Sequence, residues 1–102
     1  MTEIVGIFLL RNEDVFIEQC VRNVVEFCDR IIVADNYSTD NTWPILKSLS
    51  REFPKIEASR IRHPQESHDL IAGLAGSDTW VFGVDGDEIY DPVGLKRFRS
   101  ML

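Results

Sequence analysis

No run in this 102-residue chain approaches the roughly 18 consecutive apolar residues of a membrane-spanning helix. Basic side chains are also scarce, with 11 Lys and Arg against 17 Asp and Glu, for a formal charge of −6. That deficit argues against a general nucleic-acid binder, whose affinity comes mainly from neutralising phosphates. Anionic ligands remain compatible, because a divalent cation inverts the local charge. The amino terminus lacks both the basic segment and the cleavage site of a secretory leader, so its short apolar run reads as a buried strand. Only two cysteines occur, Cys20 and Cys28, eight apart on one predicted helix. That spacing is about 12 Å along the axis, too far for a disulfide between them. Buried reduced thiols and cytoplasmic residence are expected. Attachment to the inner face of a membrane would need sequence outside this chain. His63 and His68 have no partner spacing that implies a metal site. There is no internal repeat, low-complexity tract or linker.

What is present is one small globular domain. Hydrophobic residues make up 44% and charged residues 27%, well away from disordered compositions. Residues 3–10, EIVGIFLL, form the continuous apolar run of a central parallel strand. A helix is predicted from Asn12 or Glu13, with Ile17, Val21, Val24 and Cys28 as its buried stripe. Residues 30–35, RIIVAD, read as a second strand. A polar loop follows, in which Thr39, Asp40 or Asn41 caps the next helix and Pro44 occupies its first turn. Residues 55–61 alternate as an edge strand, residues 66–77 form a brief helix, and TWVFGV at 79–84 is a fourth strand before a final helix from Pro92. This alternation predicts an α/β fold: an open, mostly parallel sheet of about four strands with helices on both faces.

Ligands of such sheets bind outside the carboxyl ends of the strands. Three polar clusters fall there: RNED after strand one, DNYSTD after strand two and DGDE after strand four. In the last, Asp85, Asp87, Glu88 and Asp91 fall within seven positions. If strand geometry continues through Gly86, Asp85 and Asp87 share one face. Two such carboxylates suit Mg2+ or Mn2+, which complete their shell with waters and substrate phosphates. Gly86 removes a side chain where a ligand approaches. Taken alone, the spacing favours a solvated acidic turn; emergence directly from a buried strand brings the metal reading level with it. An EF-hand does not fit, because the loop lacks the later acidic position and the glycine at the required place. A phosphatase using Asp-x-Asp as nucleophile and acid fits poorly, since its motif normally follows the first strand.

Taken together, IVGIFLLRNED, RIIVADNYSTDNTW and WVFGVDGDEIYDP resemble the amino-terminal half of a family 2 glycosyltransferase of GT-A fold. The match spans about residues 3–95, with the motifs in order and at family-like spacing. The resemblance implies a nucleotide-diphosphate sugar donor. By it, Leu9 to Glu13, including Leu10, Asn12 and Glu13, flank the base, and Asp35 and Asn36 face the base and ribose. Asp85 approaches the ribose or a metal-bound water, beside Gly86. Asp87, with Asp85, ligates Mg2+ or Mn2+ bridging the diphosphate.

Two departures accompany the resemblance. The family's basic stretch before strand four is replaced by SHDLIAGLAGSD, leaving Arg60, Arg62 and His68 as alternative cations near the diphosphate. No general base is recognisable after the fourth strand, so the base and the glycan or other acceptor are expected to belong to a half not encoded here. Residues 1–102 thus read as a single partial domain, inactive alone. The alternative is a non-catalytic nucleotide- or metal-binding α/β module. A half-domain also leaves a sheet edge uncovered, and self-association through that edge is expected.

Overall fold

The fold, obtained as a computed structural model, describes residues 3–62, 79–84 and 92–101. The helix expected at 66–77, both histidines and the acidic cluster at 85–91 lie outside the described residues. Strand β1 spans Glu3–Leu10, helix α1 Ile17–Val24, β2 Arg30–Asp35, α2 Thr42–Glu52, β3 Ile56–Arg60, β4 Thr79–Val84 and α3 Pro92–Ser100. The strands form one sheet in the order β3-β2-β1-β4, and every pairing is parallel. The open parallel α/β architecture is therefore as the sequence predicts.

Position in the sheet explains the strand sequences. The central strands β1 and β2 are buried almost throughout, which their unbroken apolar runs require. Edge strand β3 is fully buried only at Ile56, its other residues being half-buried or exposed. In register, Gly6 meets Ile31 and Ile31 meets Ile56, while Phe8 meets Val33 and Val33 meets Ala58. Apart from Gly6, these residues line the face against which α1 and α2 pack, joining Ile17, Val21, Val24, Leu46 and Leu49 in one core cluster. Each such fully buried aliphatic side chain contributes about 1.5–3 kcal/mol. A smaller cluster, Val5, Ile7 and Ile32, occupies the other face.

The predicted stripe of α1 is correct, but the helix begins later than Asn12 or Glu13. Asn12 has a φ of 55°, a left-handed conformation that cannot open a right-handed helix. The backbone N–H groups of Glu13 and Asp14 donate instead to Thr42 Oγ1 and Asp40 Oδ2, at 2.8 and 3.3 Å. The chain turns through Phe16 before Ile17 N–H reaches the Glu13 carbonyl at 3.0 Å. At the far end, Cys28 N–H still bonds the Val24 carbonyl, so Cys28 stays on the stripe. Lys55 Nζ caps this end by donating to the carbonyls of Val25 and Cys28, at 2.8 and 3.0 Å.

Helix α3 is tied to the start of the sheet. Arg99 donates to the Phe27 carbonyl at 2.7 Å and, through both terminal nitrogens, to Asp29. Asp29 in turn accepts from Ile4 N–H at 2.7 Å. The Arg99 hydrogen bond, with that from Ile4, holds the Asp29 carboxyl below its ordinary value. Its contribution is therefore present above the unfolded-state pKa and lost as pH falls through the lowered one. The Phe98 ring lies 6.1 Å from that of Phe27, tilted against it, and 6.1 Å from that of Trp80, edge to face.

Both cysteines are buried and not joined in a disulfide, as the helical spacing requires. Burial pushes the Cys28 thiol up to about 11. Its sulfur fills the space over β1 where a side chain at position 6 would lie: a Cβ on Gly6 would approach Cys28 Sγ to 2.9 Å. Gly6→Ala is therefore expected to destabilise the fold by about 1–3 kcal/mol. Adding Cys28→Ala should return part of that loss, read as coupling in a urea-denaturation double-mutant cycle. Strictly additive losses would mean that the two positions do not meet.

Candidate functional site

Because all four strands are parallel, their carboxyl ends lie on one side of the sheet, and the polar loops after β1 and β2 emerge together. Leu10, Asp35 and Arg60 form the last rung across β1, β2 and β3. Beyond it, Asn36 N–H donates to the Leu10 carbonyl and Ile61 N–H to the Asp35 carbonyl, each at 2.8 Å. The rung thus continues the sheet one step into the loops.

The two loops are stitched together by side chains. Asn12 N–H donates to Ser38 Oγ at 2.8 Å, and Thr39 N–H donates to Asn12 Oδ1 at 2.8 Å. Thr42 and Asp40 receive Glu13 and Asp14 as described above, while Asn41 N–H reaches Asp14 Oδ2 at 3.3 Å. Asp40 Oδ1 also accepts from Thr42 N–H at 2.9 Å, opening α2. Of the three expected caps, Asp40 does the work, and Asn41 makes no side-chain cap bond. Against the cost of burial, which raises it, hydrogen bonds from Thr42 and Asp14 hold the Asp40 carboxyl below its ordinary value.

Asp35 organises the whole cluster. It is completely buried, so its charge must be matched inside the protein. The Ser38 hydroxyl donates to Oδ1, and Ser38 N–H donates to Oδ2 at 3.2 Å. Arg60 Nε donates to Oδ2 at 3.3 Å, and its Nη2 reaches the Ser38 carbonyl at 3.1 Å. The Arg60 guanidinium lies over the rings of Tyr37 and Trp43, 4.8 and 5.1 Å from their centroids. Among the described residues, no buried side-chain polar atom is left without a partner.

The structure thus brings together the expected residues of the first two clusters, in different roles. Leu10 is 2% exposed and belongs to the core, so only its backbone serves the rung. Asn12 and Glu13 lie at the loop surface, Asn12 exposed and Glu13 half-buried. Asp35 is beneath them, and half-buried Asn36 is the first polar side chain above it. With its nitrogen as donor, the Asn36 amide reaches the carbonyls of Ile61 and Arg62, both at 3.1 Å. Of the three cations left open, Arg60 is committed to Asp35. Asp85, Gly86 and Asp87 lie outside the described residues, although β4 ends at Val84, paired with Phe8 two residues before the rung.

Ser38, Thr42, Tyr37 and Trp43 were not legible as site residues. A turn and helix cap account for the sequence of this loop without revealing that its hydroxyls reach across to the loop after β1. The available signal was Asp35 itself, a carboxylate closing an apolar strand that needs nearby donors.

Comparison with known proteins agrees with this geometry. The model of glycosyl transferase family 2 matches residues 7–100. The SPbeta prophage-derived glycosyltransferase SunS of Bacillus subtilis (strain 168) is 32% identical over 88 residues, 80% of this chain and 19% of SunS. SunS of Bacillus phage SPbeta matches to the same extent. Among solved structures, S. aureus TarS 1-349 in complex with UDP has a TM-score of 0.72 at 19% identity, over 97% of this chain and 31% of that one. Another TarS crystal structure gives 0.72 at 18% identity, over 97% and 19%. The chain therefore has the GT-A type of fold and spans about a fifth of the length of these curated relatives.

If Asp35 depends on Ser38, Ser38→Ala should cost about 1–3 kcal/mol in urea denaturation, because a buried carboxylate loses a donor. Ser50, whose hydroxyl makes only an exposed bond to Lys47, is the control: Ser50→Ala should stay within about 0.5 kcal/mol. Equal effects at the two serines would remove Asp35 from its organising role.

Proposed function

The chain belongs to glycosyl transferase family 2, and we propose that it forms the region that binds the nucleotide-diphosphate sugar donor of a metal-dependent, inverting glycosyltransferase. The observation that carries this reading is the convergence at one sheet end. The loops after β1 and β2 are locked to each other there, and β4, parallel to β1, is followed in sequence by Asp85, Gly86 and Asp87. The similar TarS fold was solved with UDP, which supports a nucleotide ligand.

In this reading Asn12, Glu13 and Asn36 border the nucleoside. Asp35 acts from below, holding Ser38 and Arg60 and through them the loop. Asp85 and Asp87 are hard oxygen donors of the kind that Mg2+ and Mn2+ require, and Asp87 with Asp85 would hold the ion at the diphosphate. When bound, the ion supplies Lewis-acid stabilisation of the charge on the departing nucleotide. The general base and acceptor surface are assigned to the remaining length that the relatives possess, so this region alone is expected to bind donor without completing transfer. No described helix is long and apolar enough to cross a membrane, and we place the protein in the cytoplasm, free or at the inner membrane face. Among the described residues β4 is an open edge with Trp80 and Val81 exposed, so self-association is expected there. Light scattering that shows a monodisperse monomer would contradict it.

The donor reading is tested by thermal unfolding with UDP, GDP, dTDP and CDP, each with and without Mn2+, on the native chain and Asp87→Ala. A nucleotide at 100 times its dissociation constant adds roughly 2.7 kcal/mol, several degrees for a domain of this size. One nucleotide should stabilise only with metal, and the variant should lose the effect. No stabilisation by any nucleotide, with the protein folded, would refute donor binding by this chain.

A further inference from the structure

Tyr37 is unexplained by the packing around it. It is not a glycine, yet its φ is 46°, a conformation that costs an ordinary side chain energy and that clusters at functional sites. The residue remains 45% exposed, so burial does not repay that cost. Trp43 already covers the Arg60 guanidinium, so Tyr37 is not needed to shield that cation. A glycine at position 37 would hold the same turn without strain.

The ring is nonetheless held firmly. Arg60 backs it at 4.8 Å and is itself fixed by Asp35, by the Ser38 carbonyl and by Trp43. Little side-chain freedom is then lost when something stacks on it. A cation behind the ring also draws π density inward, easing the approach of a second π system to the outer face. The ring stands immediately after Asp35 and Asn36, at the sheet end assigned to the donor.

Resting on that assignment, we propose that Tyr37 is the stacking platform for the nucleobase of the donor, contributing affinity through the base's face and not through the diphosphate. The backbone strain is then the consequence of placing an aromatic ring where a turn alone would favour glycine.

The experiment measures, by calorimetry with Mn2+, the affinity of the full chain for the nucleoside diphosphates UDP, GDP, dTDP and CDP and for pyrophosphate, which has no base. The variants are Tyr37→Gly, Tyr37→Phe and Asp87→Ala. Tyr37→Gly should weaken the preferred nucleotide about tenfold, within the range of base–aromatic stacking, and leave pyrophosphate affinity unchanged. Tyr37→Phe should retain the native affinity. Tyr37→Gly should also unfold at or above the native temperature, since glycine relieves the strain. Unchanged nucleotide affinity in Tyr37→Gly, or an equal loss for pyrophosphate, overturns the platform. Loss of binding in Asp87→Ala would in that case leave the donor reading standing. If the native chain binds no nucleotide at all, platform and donor reading fall together.

Discussion

A carboxylate without access to water dictates the arrangement of this sheet end. Removing such a charge from solvent costs several kcal/mol after relaxation, and Asp35 has no exposed surface. Its requirements select a hydroxyl and an N–H from Ser38 and a guanidinium from Arg60. Meeting them bends the loop after β2 back over its own strand. The loop then presents Ser38 Oγ to Asn12, Thr42 Oγ1 to Glu13 and Asp40 to Asp14. One buried charge thus determines how two surface loops lie against each other.

The rest of the fold supplies a rigid base for that cluster. The helices α1 and α2 and the sheet face of Phe8, Ile31 and Val33 share one core, and the close approach of Cys28 to Gly6 fills its middle. The exposed ion pair of Arg22 with Glu52 joins α1 to α2, with Glu18 pairing to Arg22 within α1, but such pairs contribute little individually. Strand-end loops anchored on such a core hold their polar groups in place before a ligand arrives. Any ligand bound there would leave less ordering to be done on binding.

Membership of glycosyl transferase family 2 and the likeness to TarS concern the same framework. The matched region is a small fraction of SunS and TarS. At this sheet end the present chain carries Asn36, Tyr37 and, beneath them, the Arg60 clamp.

The sequence by itself determined the strands, their parallel order of burial, the stripe Ile17–Val21–Val24–Cys28 and the clustering of polar residues at strand ends. Those features are local, written in apolar runs and in periods of 2 and about 3.6 residues. It did not determine where α1 begins, because the N–H groups that would have started the helix are claimed by Thr42 and Asp40, 29 and 26 positions away. Nor did it separate Leu10, a core residue, from the surface residues beside it, or choose Arg60 as the partner of Asp35 across 25 positions. The partners of a polar loop are set by which strand lies next to which, and no spacing along the chain records that. Only the tertiary structure, by putting β1, β2 and β3 side by side, turned the polar stretches after β1 and β2, with Arg60 at the end of β3, into one bonded cluster with a strained tyrosine at its surface.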